Sequence, residues 1–202
     1  MTEAILTAER ILEAAEEVLR RFGPGKATVV DVARALGVSH GSVYRHFPSK
    51  AALRDAVTRR WLARILAPLA AIAAEAGPGP ERLRRWLDTL IAAKRRKVLD
   101  DPELFATYHA LAVGSREIVH EHVAALAGQI GRIVADGIAQ GSFAPADPAA
   151  AGRAVLSATA RFHNPAHAPE WRDPGIDADF EAVWALILCG LGTRAGAALQ
   201  RR

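Results

Sequence analysis

The chain holds a single cysteine, Cys189, in 202 residues, which excludes an intramolecular disulfide and suits a reducing compartment. Its neighbours, Leu186-Ile187-Leu188 and Gly190-Leu191, predict a small buried hydrophobe there rather than a reactive thiol. Runs of β-branched residues are scarce while Ala, Leu and Arg recur, so an all-α fold is expected. No stretch approaches about 18 uncharged apolar residues, so no membrane span is expected. The start, Met1-Thr2-Glu3-Ala4 followed by Glu9, Arg10 and Glu13, lacks the basic and apolar segments of a signal peptide. A cytoplasmic protein is expected.

Catalytic signatures are missing too. There is no G-x-S-x-G elbow, P-loop, dinucleotide fingerprint or H-E-x-x-H. Ser157, His163 and Asp173 have no local context that would make a nucleophile. His163 and His167 are four apart, but Pro165 between them opposes a shared helical face, and metal binding needs more ligands. His120 and His122 point to opposite sides of a helix and add nothing. Neither an enzyme, a cofactor nor a metal site is expected.

What is present is half hydrophobic and 24% charged, with a formal net charge of +4. This fits a globular protein with one substantial core, or a small module joined to a larger one. The positive charge is concentrated. Between Lys26 and Arg60 stand Lys26, Arg34, Arg45, Lys50, Arg54, Arg59 and Arg60 against only Asp31 and Asp55. Phosphate neutralisation would require a surplus of that kind.

Apolar periodicity predicts a first helix over 7–22, with Ile11, Ala15, Val18 and Phe22 on one stripe, stopped by Gly23-Pro24-Gly25. Thr28 and Asp31 form a capping-box-like pair opening a short helix to Leu36, and Gly37 ends it. Ser39 is placed to cap a third helix over 40–47, and Ser49 a fourth that runs to about Ala74, with Pro68 expected to kink or divide it. Further helices are expected over 81–99, 102–113, 115–140, 148–162 and 177–199. The stretch 164–177, with Pro165, Pro169, Pro174 and Gly175, reads as a loop.

The short helix, turn and short helix between Thr28 and Phe47 have the spacing of a helix-turn-helix. A helix of about eight residues fits the DNA major groove, where side chains near its start reach base edges. Arg45 can offer a bidentate fork to guanine or pair with phosphate, and Thr28 can present its hydroxyl and N–H to a phosphate. Ser39 and Ser49 read first as caps and second as DNA ligands. Val43 and Phe47 fall at inward positions against Val18, Phe22 and Leu36. One such helix reads only a few base pairs, so a two-fold dimer reading a palindrome is expected.

The segment resembles the tetracycline-repressor (TetR) family. The marks are A-x-x-L-G-V-S at Ala33–Ser39, V-Y-R-H-F at Val43–Phe47 and P-S-K-A-A-L at Pro48–Leu53, and the likeness covers residues 7–58. The resemblance implies that His40 and Ser42 face the groove, that Gly41 lets the backbone approach, and that Tyr44, His46 and Lys50 meet phosphates. It implies an operator-binding repressor with a helix-turn-helix domain over 1–50 and an effector-binding and dimerising body over 51–202. The last two helices would form a four-helix bundle with the partner through Ala150, Ala154, Ala158, Val183, Trp184, Ile187, Leu188 and Leu191. A small apolar or amphipathic effector would meet Trp61, Ile65, Trp86, Leu90, Phe105, Tyr108, His109, Phe162 and His163. Its binding would move the fourth helix as a lever and shift the recognition helices from the spacing of successive major grooves. The rival reading is a nucleoid-type protein that binds DNA without sequence preference.

Overall fold

The computed structural model describes residues 5–100 and 102–192, and every element among them is helical. The chain packs as two units, Met1–Ala63 with Asp101–His120, and Arg64–Asp100 with Glu121–Arg202. No helix among the described residues is long and apolar enough to cross a membrane.

The first unit opens with α1 (Ala8–Lys26), whose N-cap Thr7 accepts from the Arg10 N–H. Ile11, Ala15, Val18 and Leu19 form its buried stripe. Phe22 departs from the expected pattern. It is 43% exposed, with the Arg21 guanidinium 5.2 Å from its ring centre. The cause lies one residue on, where Gly23 takes φ 74° and turns the chain before Phe22 can continue the stripe.

α2 (Val29–Leu36) buries Val29, Val32 and Ala33. Its end is a Schellman turn: Gly37 sits at φ 67°, its N–H reaches Arg34 O, and the Val38 N–H reaches Ala33 O at 3.0 Å. α3 (His40–Tyr44) is shorter than expected, the chain passing into turns before Phe47. α4 (Lys50–Ala74) runs through Pro68 as one helix and contributes to both units.

α6 (Pro102–Gly114) packs against α1. Tyr108 stacks on Trp61, rings 4.9 Å apart and 3° from parallel. Arg60 is held by Glu9, Glu13 and Glu16 of α1. It is thereby removed from the basic surplus read in the sequence.

In the second unit α5 (Gly79–Asp100) and α7 (Arg116–Ala139) share an apolar seam in which Leu83, Trp86, Leu87, Leu90, Ile130, Ile133 and Val134 are fully buried. Their register is fixed by polar pairs. The buried Arg82 guanidinium makes two 3.0 Å bonds to Asp136 and one of 2.6 Å to Ala73 O. The Trp86 indole N–H donates to Gln129 at 3.0 Å. A residue later on α5 therefore faces one earlier on α7, and the two helices are antiparallel.

α8 (Pro148–Ala158) is capped by Asp147 and crosses α7 at glycines. A Cβ on Gly152 would stand 2.3 Å from Ala127 O and 2.8 Å from Gly131 N. α9 (Ala160–His163) follows after Thr159. The expected loop is then a 3-10 segment, Pro165–Arg172. Asn164 caps it through the Ala166 N–H, proline fits its first turn, and Trp171 anchors it by donating to Arg161 O at 2.8 Å. α10 (Ile176–Gly190) ends earlier than the expected 199: Leu191 is its C-cap and Gly192 turns the chain at φ 69°, while residues 193–199 lie outside the described residues.

Candidate nucleic-acid interface

Local chemistry builds the face around α3. Ser39 accepts from the Ser42 N–H at 3.2 Å and so closes the N-terminus. Val43 is the anchor: it is wholly buried, worth about 2 kcal/mol of apolar burial. With Val43 turned inward, the residues around it turn outward. Ser39, His40, Gly41, Tyr44, Arg45, His46 and Lys50 are all exposed, and Ser42 is half-buried. His40 and Tyr44 meet edge to face, one turn apart.

Polar contacts orient this surface. Ser39 and Ser42 share a 2.9 Å hydroxyl bond, and Arg45 Nη2 donates to Ser42 Oγ at 3.1 Å. Gly41 has no steric need of its own, since an added Cβ would meet only Ser39 Oγ at 3.8 Å.

Thr28 is arranged differently from what the sequence suggested. The capping box is complete, and Asp31 takes both donors of Thr28, the hydroxyl at 2.6 Å and the N–H at 3.1 Å. The Thr28 hydroxyl holds the Asp31 carboxyl below the usual carboxylate range. A phosphate at this helix end would have to displace a carboxylate. Of the cations between positions 26 and 60, Lys26, Arg34, Arg45, Lys50 and Arg59 are exposed, and Arg34 lies 3.4 Å from Asp31.

The residues expected to meet an effector fall in both units. Trp61, Phe105, Tyr108 and His109 belong to the first, where Phe105 and His109 pair at 6.1 Å. Ile65, Trp86, Leu90, Phe162 and His163 belong to the second and are all buried there. Phe162 packs edge-on against Phe180, and His163 lies 3.3 Å from both Thr159 Oγ1 and Leu156 O. Lys94 and His122, which the sequence gave no reason to single out, are buried with them, at 6% and 7% exposure.

The expected dimer residues separate into two groups. Ala150, Ala154, Ala158, Val183, Ile187 and Leu191 line an open apolar groove between α8 and α10. Trp184 and Leu188 are not among its lining, and Trp184 instead receives the Arg84 guanidinium at 5.8 Å. Leu186, missed in the sequence, lines the groove and is 72% exposed. Cys189 is exposed rather than buried, because Ile187 and Leu191 take the inward positions of the last turn.

Comparison with known proteins bears on this arrangement. Residues 11–57 match the family model of bacterial regulatory proteins, tetR family, and residues 79–184 match that of the tetracyclin repressor-like C-terminal domain. An uncharacterized HTH-type transcriptional regulator of Mycobacterium tuberculosis is 33% identical over 103 residues, 51% of this chain and 49% of that one. The chain thus matches about half the length of that relative. Among solved structures, SmeT, the repressor of the Stenotrophomonas maltophilia multidrug efflux pump SmeDEF, aligns at TM-score 0.66 and 20% identity. The match covers 92% of this chain and 90% of SmeT. The regulator FadR of Bacillus subtilis, solved with stearoyl-CoA, aligns at 0.61 and 16% identity, covering 90% and 98%. At these identities the structures speak for the fold.

Proposed function

Because the chain belongs to the tetracycline-repressor family of bacterial regulatory proteins, we propose that it is a homodimeric repressor that holds a palindromic operator and releases it on binding a small apolar or amphipathic molecule. Family membership sets the enzyme reading aside. The observation that carries the proposal is the α3 face, where a wholly buried Val43 turns His40, Gly41, Tyr44 and Arg45 outward together. An exposed imidazole, a bare backbone, a phenol and a guanidinium along one short helix and its C-terminal end suit base edges and phosphates better than a solvated surface needs.

In this reading Arg45, His40 and Ser42 read bases, while Tyr44, His46 and Lys50 hold phosphates. Ser39 caps first and contacts DNA second, and Thr28 contributes only if Asp31 yields. Residues 1–50 act as the DNA-binding part and 51–202 as the effector and dimer part. The α8–α10 groove is the natural seat of the partner subunit, since an open apolar channel lined by five alanines admits close helix approach. α4, which contributes to both units, is the lever.

The test is selection of bound duplexes from a random pool. Enrichment of a palindrome, lost on Arg45→Ala and Tyr44→Ala, supports a sequence-specific dimer. Tight, salt-sensitive binding with no enriched sequence would favour the nucleoid-type reading instead. No binding at any salt would end the DNA claim.

A further inference from the structure

Arg54 and Arg60 are both half-buried on α4, and they differ in what surrounds the charge. Arg60 is held by Glu9, Glu13 and Glu16. The Arg54 guanidinium has no hydrogen-bond acceptor or ion-pair partner among the described residues, and its Nε is buried. Asp55, the next residue, is engaged by the Ser115 hydroxyl at 2.7 Å, and Asp31 by Thr28 and Arg34. Arg54 Nη2 stands over Gly114, where a Cβ on that glycine would come within 2.8 Å of it. Gly114 is the last residue of α6, so the negative feature beside the guanidinium is a helix C-terminus, a partial charge rather than a whole one.

Burying a guanidinium N–H without an acceptor costs free energy, so the position calls for a partner from outside the chain. The surroundings say which kind. Arg54 comes one turn after Lys50 on α4, an advance of about 6 Å, and side chains on a helix lean toward its N-terminus. Both residues line one cavity with Thr28, at the place where the starts of α2 and α4 meet. That cavity, about 30 Å³, is too small for an organic ligand, so an anion must meet the guanidinium from the surface. Lys50 is exposed beside the turns that follow α3, on the way to that surface. Successive phosphates of a DNA strand advance about 3.4 Å along the axis, so cations one helical turn apart fall within two steps of one strand.

We propose that Arg54 is a further DNA-binding residue: its guanidinium takes a backbone phosphate of the operator close to the one held by Lys50. This rests on the reading of the chain as an operator-binding regulator. In the free protein the end of α6 holds the guanidinium in waiting, and rotation of a flexible side chain off Gly114 brings it to the duplex. A phosphodiester supplies acceptor oxygens and a full negative charge, which the helix end supplies only in part. The contact reads no base. It adds affinity on any duplex and fixes where the start of α4 lies against the backbone.

The experiment measures affinity of the full chain against salt concentration, on the palindrome selected from the random pool and on a scrambled duplex. Arg54→Met should lower the slope of log affinity against log salt by about 0.9 per protomer bound. Affinity should fall about tenfold, by the same factor on both duplexes, since a phosphate contact is blind to sequence. Arg54→Lys should keep the slope. The thermal midpoint of the free Arg54→Met protein should stay or rise, because an unsatisfied buried N–H has gone; Arg54→Gln gives the same readout should the methionine variant fail to fold. An unchanged slope in both neutral variants overturns the proposal, most plainly if the midpoint falls, which is what a merely structural arginine would show. Inorganic phosphate at matched ionic strength should leave the wild-type midpoint unmoved. A rise that Arg54→Met abolishes would assign the guanidinium to a free phosphate and overturn the operator contact. Palindrome binding with wild-type slope in the variants removes this inference and leaves the regulator standing, whereas absence of sequence-specific binding by the wild type removes the regulator itself.

Discussion

Arg45 Nη2 donates to Ser42 Oγ at 3.1 Å, so the guanidinium just beyond α3 is aimed by a hydroxyl one turn earlier. Ser42 in turn is tied to Ser39, the residue that caps the helix. The cap, the linking hydroxyl and the guanidinium form one chain of contacts. Ser42→Ala should cut it without harming the fold, because Ser39 caps through the backbone N–H of residue 42. The expected loss of operator affinity is about tenfold, against a larger loss and relaxed sequence preference for Arg45→Ala. Fluorescence anisotropy at fixed salt measures both, and wild-type affinity in Ser42→Ala would show that the guanidinium needs no positioning.

Gly41→Ala separates folding from recognition at one position. The new Cβ has open space, with Ser39 Oγ at 3.8 Å as its nearest contact, and alanine is the better helix former by up to about 1 kcal/mol. Chemical denaturation should therefore show equal or slightly higher stability. Operator affinity should nevertheless fall tenfold or more, since the methyl occupies the face proposed to approach DNA. If affinity is retained, the backbone there does not come close to the duplex.

Two buried imidazoles make stability depend on pH in a stated direction. Burial first, then Lys94, lowers His122 to about 3 and His163 to about 4. The unfolded chain, with ordinary histidines near 6.5, binds protons that the folded chain refuses. Stability is therefore full above pH 6.5 and declines as pH falls from there toward the folded values. At pH 5 the two residues together cost roughly 4 kcal/mol. Urea unfolding at pH 7.5 and pH 5 should show this fall, and His122→Leu should remove about half of it. An unchanged slope in that variant would place the titrating group elsewhere.

Gly152 is required by contact rather than by conformation. Its Cβ would meet the Ala127 carbonyl at 2.3 Å and the Gly131 amide at 2.8 Å, both backbone and unable to rotate away. Gly152→Ala should destabilise the chain by about 2–3 kcal/mol through forced separation of α7 and α8. Gly128→Ala, on the same helix pair but with nothing within 4 Å, is the control and should be neutral or stabilising. Denaturant midpoints decide it, and equal midpoints would mean that α8 shifts without cost.

These cases show which parts of the fold were legible in the sequence. The Thr28–Asp31 box, the Ser39 cap and the Gly37 turn were readable because each joins residues three to five apart, where the chain itself fixes the geometry. Phe22 was misread because periodicity extends a stripe without knowing where Gly23 bends it. The segment 165–172 was misread because two prolines look like breakers, yet Pro165 sits in the first turn, where its missing N–H costs nothing, and the 3-10 segment runs on through Pro169. Lys94 facing His122 was invisible, since it depends on a register set by Trp86 and Gln129 across 43 positions. Thr28 shows a subtler limit: its identity as a cap was legible, but the same box spends both of its donors on Asp31 and leaves none for a phosphate.

The exposed side of α10 tests the dimer. Leu186 is 72% exposed and lines the groove with Val183 and Ile187, while Ile187 also belongs to the buried core of its own protomer. Leu186→Glu therefore alters the surface without touching the interior, and protomer stability should stay within about 0.5 kcal/mol. A carboxylate in an apolar channel is costly only once that channel is covered and water is excluded. Light scattering of the eluted protein should then give the 21.6 kDa of one chain instead of twice that mass. A monomer contacts one half-site, so affinity for the palindrome should collapse by orders of magnitude while weak, salt-sensitive binding persists. Were Leu186→Glu to remain dimeric with wild-type operator affinity, the α8–α10 groove would not be where the subunits meet, and the two-fold reading would need another surface.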